Sequence, residues 1–178
     1  MHKIIFVAFI VLIVCLSWYG IVDYVDYKEG SEIITLFERA SYLNSTKKLK
    51  AKAVFPLEQM ILDAEKDGIC LVVVSGFRTL EQQQLLYNDK SKKGLVAKPG
   101  TSEHEQGIAV DLGGCPMIDG VRNDNGQRLE LRNDFSTLPE YKWLVENAHK
   151  YNFEQSYTAE NTEETGFLAE EWHWRYTK

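Results

Sequence analysis

Ser102-Glu103-His104-Glu105-Gln106-Gly107-Ile108-Ala109-Val110-Asp111 is the stretch on which the reading of this chain turns. His104 and Asp111 are seven residues apart, which is two turns of a helix or opposite faces of one strand. The residues between them, Gln-Gly-Ile-Ala-Val, do not read as helix. A turn at Gly107 followed by a short strand would bring both side chains to one point. A second segment, Glu170-Glu171-Trp172-His173-Trp174, supplies another histidine with glutamates close by. Two histidines and an aspartate are the ligand set of a catalytic zinc, which keeps a position open for water. A nearby glutamate is what a metal-activated water needs as its proton acceptor.

Each residue has an ordinary reading beside the sharp one. Alone, His104 would be an ordinary polar residue and His173, between two tryptophans, a packed core histidine. Asp111 follows Ile-Ala-Val in an apolar strand, where an unpaired carboxylate is costly. Metal ligation by His104, Asp111 and His173 explains all three placements together. A His2Asp set also suits manganese or iron. His2 and His149 are not candidates. Strand alternation would pick Glu171 as the base, because Glu171 and His173 share a face of an extended strand.

The pattern S-x-H-x-x-G-x-A-x-D, followed at a distance by E-x-W-H, resembles the zinc D-Ala-D-Ala carboxypeptidases and dipeptidases of the VanY/VanX family. Ser75-Gly76-Phe77-Arg78, with Gln83, Leu86 and Tyr87 after it, is similar to that family's S-G-Y-R-(x4)-Q-(x2)-L-Y block. Pro99-Gly100 before Ser102 also fits, and the resemblance covers roughly residues 46 to 178. One departure is Glu171, where the family often has proline. The resemblance implies that Glu170, three before the histidine, is general base and acid. A bend before Trp172 would reconcile this with the strand alternation. It implies further that Arg78 stabilises the oxyanion and that Ser102 and Gln83 bind substrate or orient the site. A turn cap for Ser102 and a helix-surface position for Gln83 are the plainer readings. The implied reaction is zinc-dependent removal of the terminal D-Ala from peptidoglycan stem pentapeptides. An L,D-carboxypeptidase or D,D-dipeptidase of the same chemistry, and a non-catalytic cell-wall-binding module, are the alternatives. No acyl-enzyme is expected; Ser45-Thr46-Lys47-Lys48 has Ser-x-x-Lys spacing without companion motifs.

The chain has 178 residues and a formal charge of −6, with no basic cluster, which argues against a nucleic-acid partner. Residues 4–22 carry no charged side chain. A helix of that length, at about 1.5 Å per residue, spans roughly 28 Å, close to the ~30 Å core of a bilayer. Trp18 and Tyr19 sit where interfacial aromatics belong, with Lys3 before the run and Asp23 and Asp26 after it. A single-pass anchor with the catalytic domain outside a bacterial cell is expected, rather than a cleaved signal, because Leu16-Ser17-Trp18-Tyr19 matches a cleavage site poorly. The membrane is then one partner and the peptidoglycan stem peptide the other. Outside, a Cys70–Cys115 disulfide is permitted. Both cysteines lie beside predicted strands, and two buried free thiols is the favoured expectation.

The expected organisation is a cytoplasmic tip and anchor over 1–22, a stalk or first helix over 23–45, and a zinc peptidase domain over 46–178. Ser31 would cap a helix containing Ile33, Ile34, Phe37 and Tyr42. Leu57, Met60, Ile61 and Ala64 follow helical spacing, with Pro56 in the first turn and Gly68 at the end. Strands are expected at 69–74, 109–112, 153–157, 166–169 and 172–176. Helices are expected at 80–88 and 138–151, the latter burying Tyr141, Leu144, Val145, Ala148 and Tyr151. Residues 90–98 read as a basic loop, and 113–133 as a long loop with a hairpin at 124–126. The fold class is α+β, a small mixed or antiparallel sheet with helices on one side. The resemblance implies the same, a hedgehog-like peptidase fold.

Overall fold

Strand alternation organises the domain. In the computed structural model, which describes residues 48–89, 96–115 and 135–178 together with the backbone of 33–35, 117–118 and 121–122, a four-stranded antiparallel sheet forms the centre. Its strands are β3 (Leu71–Ser75), β4 (Ala109–Gly114), β7 (Phe153–Gln155) and β8 (His173–Tyr176), in the order β3-β4-β8-β7. Val110 and Leu112 of β4, Leu71 and Val73 of β3, and Trp174 of β8 enter one buried core. Asp111 and His173 are therefore turned to the other face, where successive residues of a strand must point.

Helix α1 (Ala51–Lys66) covers the core face with Ala53, Val54, Leu57, Met60 and Ala64. It starts five residues before the first turn expected at Pro56, so the proline lies inside the helix. Two hydrogen bonds close its far end, Gly68 N to Glu65 O and Ile69 N to Ala64 O. That is the paired 6→1 and 5→2 pattern of a Schellman ending. Helix α2 (Leu80–Asn88) has the expected bounds because Thr79 and Gln82 form a reciprocal capping box.

Helix α3 (Pro139–Asn147) continues into a 3-10 turn over Ala148–Tyr151. Trp143, not the expected Val145, joins Leu144 and Ala148 in the core, and Val145 is exposed. Trp143 donates to Asp67 at 2.8 Å and Tyr151 to Asp63 at 2.7 Å, which ties α3 and its 3-10 turn to α1.

Three further expectations are corrected. Residues 166–169 are not a strand; a short helix α4 (Thr162–Thr165) precedes them, and they remain irregular. Ile33–Thr35 is a strand, β1, rather than part of a helix. It pairs with β2 (Lys48–Lys50), as its β-branched residues favour. Cys70 and Cys115 are not free thiols but a disulfide, with Cα atoms 5.6 Å apart. They flank β3 and β4 one step beyond the Leu71–Gly114 pair, so the sheet register itself brings them together. Short strands β5 (Met117–Ile118) and β6 (Val121–Arg122) follow. The expected hairpin at 124–126, the basic loop at 90–95, the anchor at 4–22 and most of the stalk lie outside the described residues. No helix among the described residues is long and apolar enough to cross a membrane.

Candidate metal centre

The sheet register makes Asp111 and His173 neighbours. They are directly opposed residues of β4 and β8, so their side chains rise side by side from the same face. His104 reaches them from a turn over residues 103–107 that leads into β4. Gly107 has φ +69°, a left-handed conformation that glycine adopts without strain, and its N–H closes the turn onto His104 O. One ligating atom from each of His104, Asp111 and His173 lies within 4.8 Å of the others, and all three residues are buried.

The lone pairs converge on one point. His104 Nδ1 lies 2.8 Å from the Gly76 carbonyl, so it carries the proton and leaves Nε2 as an acceptor. That Nε2 is buried, 3.2 Å from Asp111 Oδ1, and without a hydrogen bond among the described residues. Burial lowers the His104 pKa and favours the neutral ring, although Asp111 opposes the shift. His173 turns its other nitrogen inward. Nδ1 is 3.3 Å from Asp111 Oδ1, while Nε2 is 2.8 Å from Glu103 Oε2. Burial pushes the Asp111 carboxyl up, but the two histidines hold it well below the usual range. Burial would lower His173, yet its hydrogen bonds to Asp111 and Glu103 raise it to about 9. Two imidazole nitrogens and a carboxylate held this close, one of them orphaned, fit a divalent cation better than they fit one another.

Glu170 stands beside this cluster, Oε2 3.7 Å from His173 Nδ1. A turn at 171–172 precedes β8, and His173 N bonds to Glu170 O. Glu171 lies in that turn rather than on the strand, so strand alternation does not reach it. Burial raises the Glu170 pKa to about 7, with His173 and Arg78 pulling the other way. Arg78 follows β3, its backbone N–H on His104 O. Burial lowers its pKa against the pull of Asp111 and Glu170, and its Nε is buried without a partner among the described residues.

Gln83 and Ser102 are occupied within the site. Gln83 is buried, accepts from Arg78 Nη1 at 2.9 Å and donates to Ala97 O at 2.8 Å, so it holds the arginine in place. Ser102 Oγ accepts from His104 N at 3.3 Å, capping the turn that carries the ligand. Two residues here were not singled out in the sequence. Glu103 accepts from His173, Ser156 and Arg175, which hold its carboxyl at about 2 against the upward push of burial. Tyr157 lies with its ring 4.9 Å from the His173 ring and 4.8 Å from Phe167, and burial raises its hydroxyl to about 12. A turn glutamate and a loop tyrosine carry no spacing signal. The one hint the sequence holds is Glu103's place beside His104.

Comparison with known proteins gives a consistent picture. A family profile described as "VanY: D-alanyl-D-alanine carboxypeptidase" matches residues 46–178. A D-alanyl-D-alanine carboxypeptidase of Enterococcus faecalis (strain ATCC 700802 / V583) is 34% identical over 140 residues, covering 69% of this chain and 46% of that protein. The chain thus spans about half the length of the curated relatives it matches. The solved LdcB LD-carboxypeptidase has a TM-score of 0.68 and 29% identity over 85% of this chain and 70% of that one. A vancomycin-resistance D,D-pentapeptidase VanY mutant solved with Zn(II) has a TM-score of 0.60 and 28% identity, over 81% of this chain and 83% of its own.

Proposed function

The chain belongs to the VanY family of D-alanyl-D-alanine carboxypeptidases, and from that premise we propose that it is a zinc-dependent D,D-carboxypeptidase removing the terminal D-Ala from peptidoglycan stem pentapeptides. The observation that carries this reading is the buried His104–Asp111–His173 cluster with an orphaned His104 Nε2 and a glutamate of raised pKa beside it. His104 Nε2, Asp111 and His173 Nδ1 would hold the ion. Zinc in such a site supplies Lewis acidity, which makes water nucleophilic near neutrality and draws charge from a carbonyl.

The protein's own groups do the rest. Glu170 accepts the proton of the attacking water and returns it to the leaving amine of D-Ala. Its burial suits a group that must both take and give a proton near neutral pH. Arg78, steadied by Gln83, offers its guanidinium to the oxygen on which charge develops. Ser102 acts by holding the turn that carries His104, and the stem peptide binds at the open face of the sheet.

The proposed location is the outer side of a bacterial membrane, with residues 4–22 as a single-pass anchor. The uncharged run supports it, as does a disulfide that suits an oxidising compartment. A wall peptide rather than the free dipeptide is then the substrate within reach. The test is incubation of the zinc-loaded protein with pentapeptide and tetrapeptide muropeptides. Loss of D-Ala from the pentapeptide is the result expected. Trimming of the tetrapeptide alone would move the assignment to an L,D-carboxypeptidase, which the match to LdcB makes the second reading.

A further inference from the structure

Glu103 is a half-buried carboxylate that the proposed chemistry does not use. It stands in the turn that delivers His104, yet its contacts are with the other histidine. Oε2 lies 2.8 Å from His173 Nε2 and also accepts from Ser156 Oγ. Oε1 accepts from Arg175 Nη1 at 3.0 Å, and Arg175 is in turn bound by Glu154. Arg175 is two residues after His173 on β8, on the same face of the strand. Both oxygens of this carboxylate are therefore fixed by β8 or by Ser156, the residue after β7.

An imidazole has two nitrogens, and only one can be a ligand while the other keeps the proton. His104 has its choice made by the Gly76 carbonyl. Among the described residues His173 has no such backbone partner; the acceptor at its Nε2 is Glu103. We propose that Glu103 is a positioning residue for the metal centre: it holds the His173 proton on Nε2 and thereby presents Nδ1 to the ion. One short turn then supplies the first histidine ligand and the group that orients the second. A carboxylate behind a ligating histidine also makes the imidazole more basic, which strengthens the bond to the metal. The inference rests on the zinc reading of the site but not on peptidase activity.

The experiment measures zinc affinity by competition with a chromophoric chelator on the full chain, for wild type, Glu103→Ala, Glu103→Gln and Arg175→Met. Glu103→Ala is expected to weaken zinc by about 10–100-fold. Glu103→Gln should recover part of that loss, since an amide oxygen still accepts from Nε2–H. Arg175→Met, which breaks the ion pair but spares the bond to His173, should fall short of the Ala variant. In the zinc-loaded protein with labelled histidine, a slowly exchanging Nε2–H of His173 should be visible by NMR in wild type and lost in Glu103→Ala. Circular dichroism and the melting temperature identify any variant that fails to fold, and Glu103→Gln is the one least exposed to that. A Glu103→Ala protein that melts lower but binds zinc within twofold of wild type would overturn the proposal, leaving Glu103 as a structural staple. Wild-type protein that binds no zinc would overturn the metal reading as well. Protein that binds zinc as expected but cleaves no peptide would leave the proposal standing while the proposed activity failed.

Discussion

The burial that raises Glu170 is also what suits it to carry a proton. Glu170→Gln should keep zinc and fold but lose at least ~10² in kcat, the usual scale for a general base. Glu171→Gln, in the turn before β8, should be mild. Zinc stoichiometry beside steady-state rates distinguishes the two. Because Glu170 must be ionised to accept a proton, kcat/KM should be full above its pKa and fall as pH drops through it. A bound dication pulls that pKa down, so the acid limb should lie at or below about 7, and it should vanish in Glu170→Gln. Arg78→Lys keeps a charge but loses the planar fork that Gln83 grips. It should lower kcat about 10²-fold with zinc retained. A rise in KM with kcat unchanged would make Arg78 a substrate anchor instead. At this scale the residue types at motif spacing were readable in sequence, because metal chemistry restricts which side chains can serve. Glu103 and Tyr157 were not, since their partners Ser156, Arg175 and Phe167 come from distant segments joined only by the fold.

Among the elements, the loop between β3 and α2 does more than connect. Gly76 gives its carbonyl to His104, and a Cβ there would stand 2.5 Å from the Lys48 carbonyl. Gly76→Ala should therefore shift the loop and weaken zinc binding, measured by chelator competition, although the residue touches neither metal nor substrate. The Cys70–Cys115 bridge closes a segment of 45 residues at the ends of β3 and β4. Replacing both cysteines by serine should cost about 2–4 kcal/mol in denaturant unfolding while leaving zinc stoichiometry intact. The pairing was hidden in sequence because it depends on strand register, which two separated apolar runs do not reveal. Helix α2 was legible to its ends because Thr79 and Gln82 mark its start chemically. The start of α1 was not, since Pro56 is common in first turns and here sits inside the helix. Val145 has helical spacing, but Trp143 buries more surface and takes the core-facing side.

For the whole molecule, function follows from which face of one small sheet is covered. Helices α1 and α3 seal one side, and the alternation that packs Val110, Leu112 and Trp174 against them leaves Asp111 and His173 on the other. The proposed anchor makes a cellular prediction. Protease added to intact cells should remove the activity, and a substrate that cannot enter should still be cleaved. Activity that emerges only after lysis would reverse the topology and remove the preference for wall peptides over free dipeptide. The central claim is zinc-dependent cleavage of a terminal D-Ala. It is tested most directly by mass spectrometry of a purified pentapeptide muropeptide incubated with the zinc-loaded protein, with and without a strong chelator. The account predicts conversion to the tetrapeptide with release of one D-alanine, abolished by the chelator and restored by zinc. A pentapeptide left intact by zinc-loaded protein, or cleavage that persists in chelator, would contradict it.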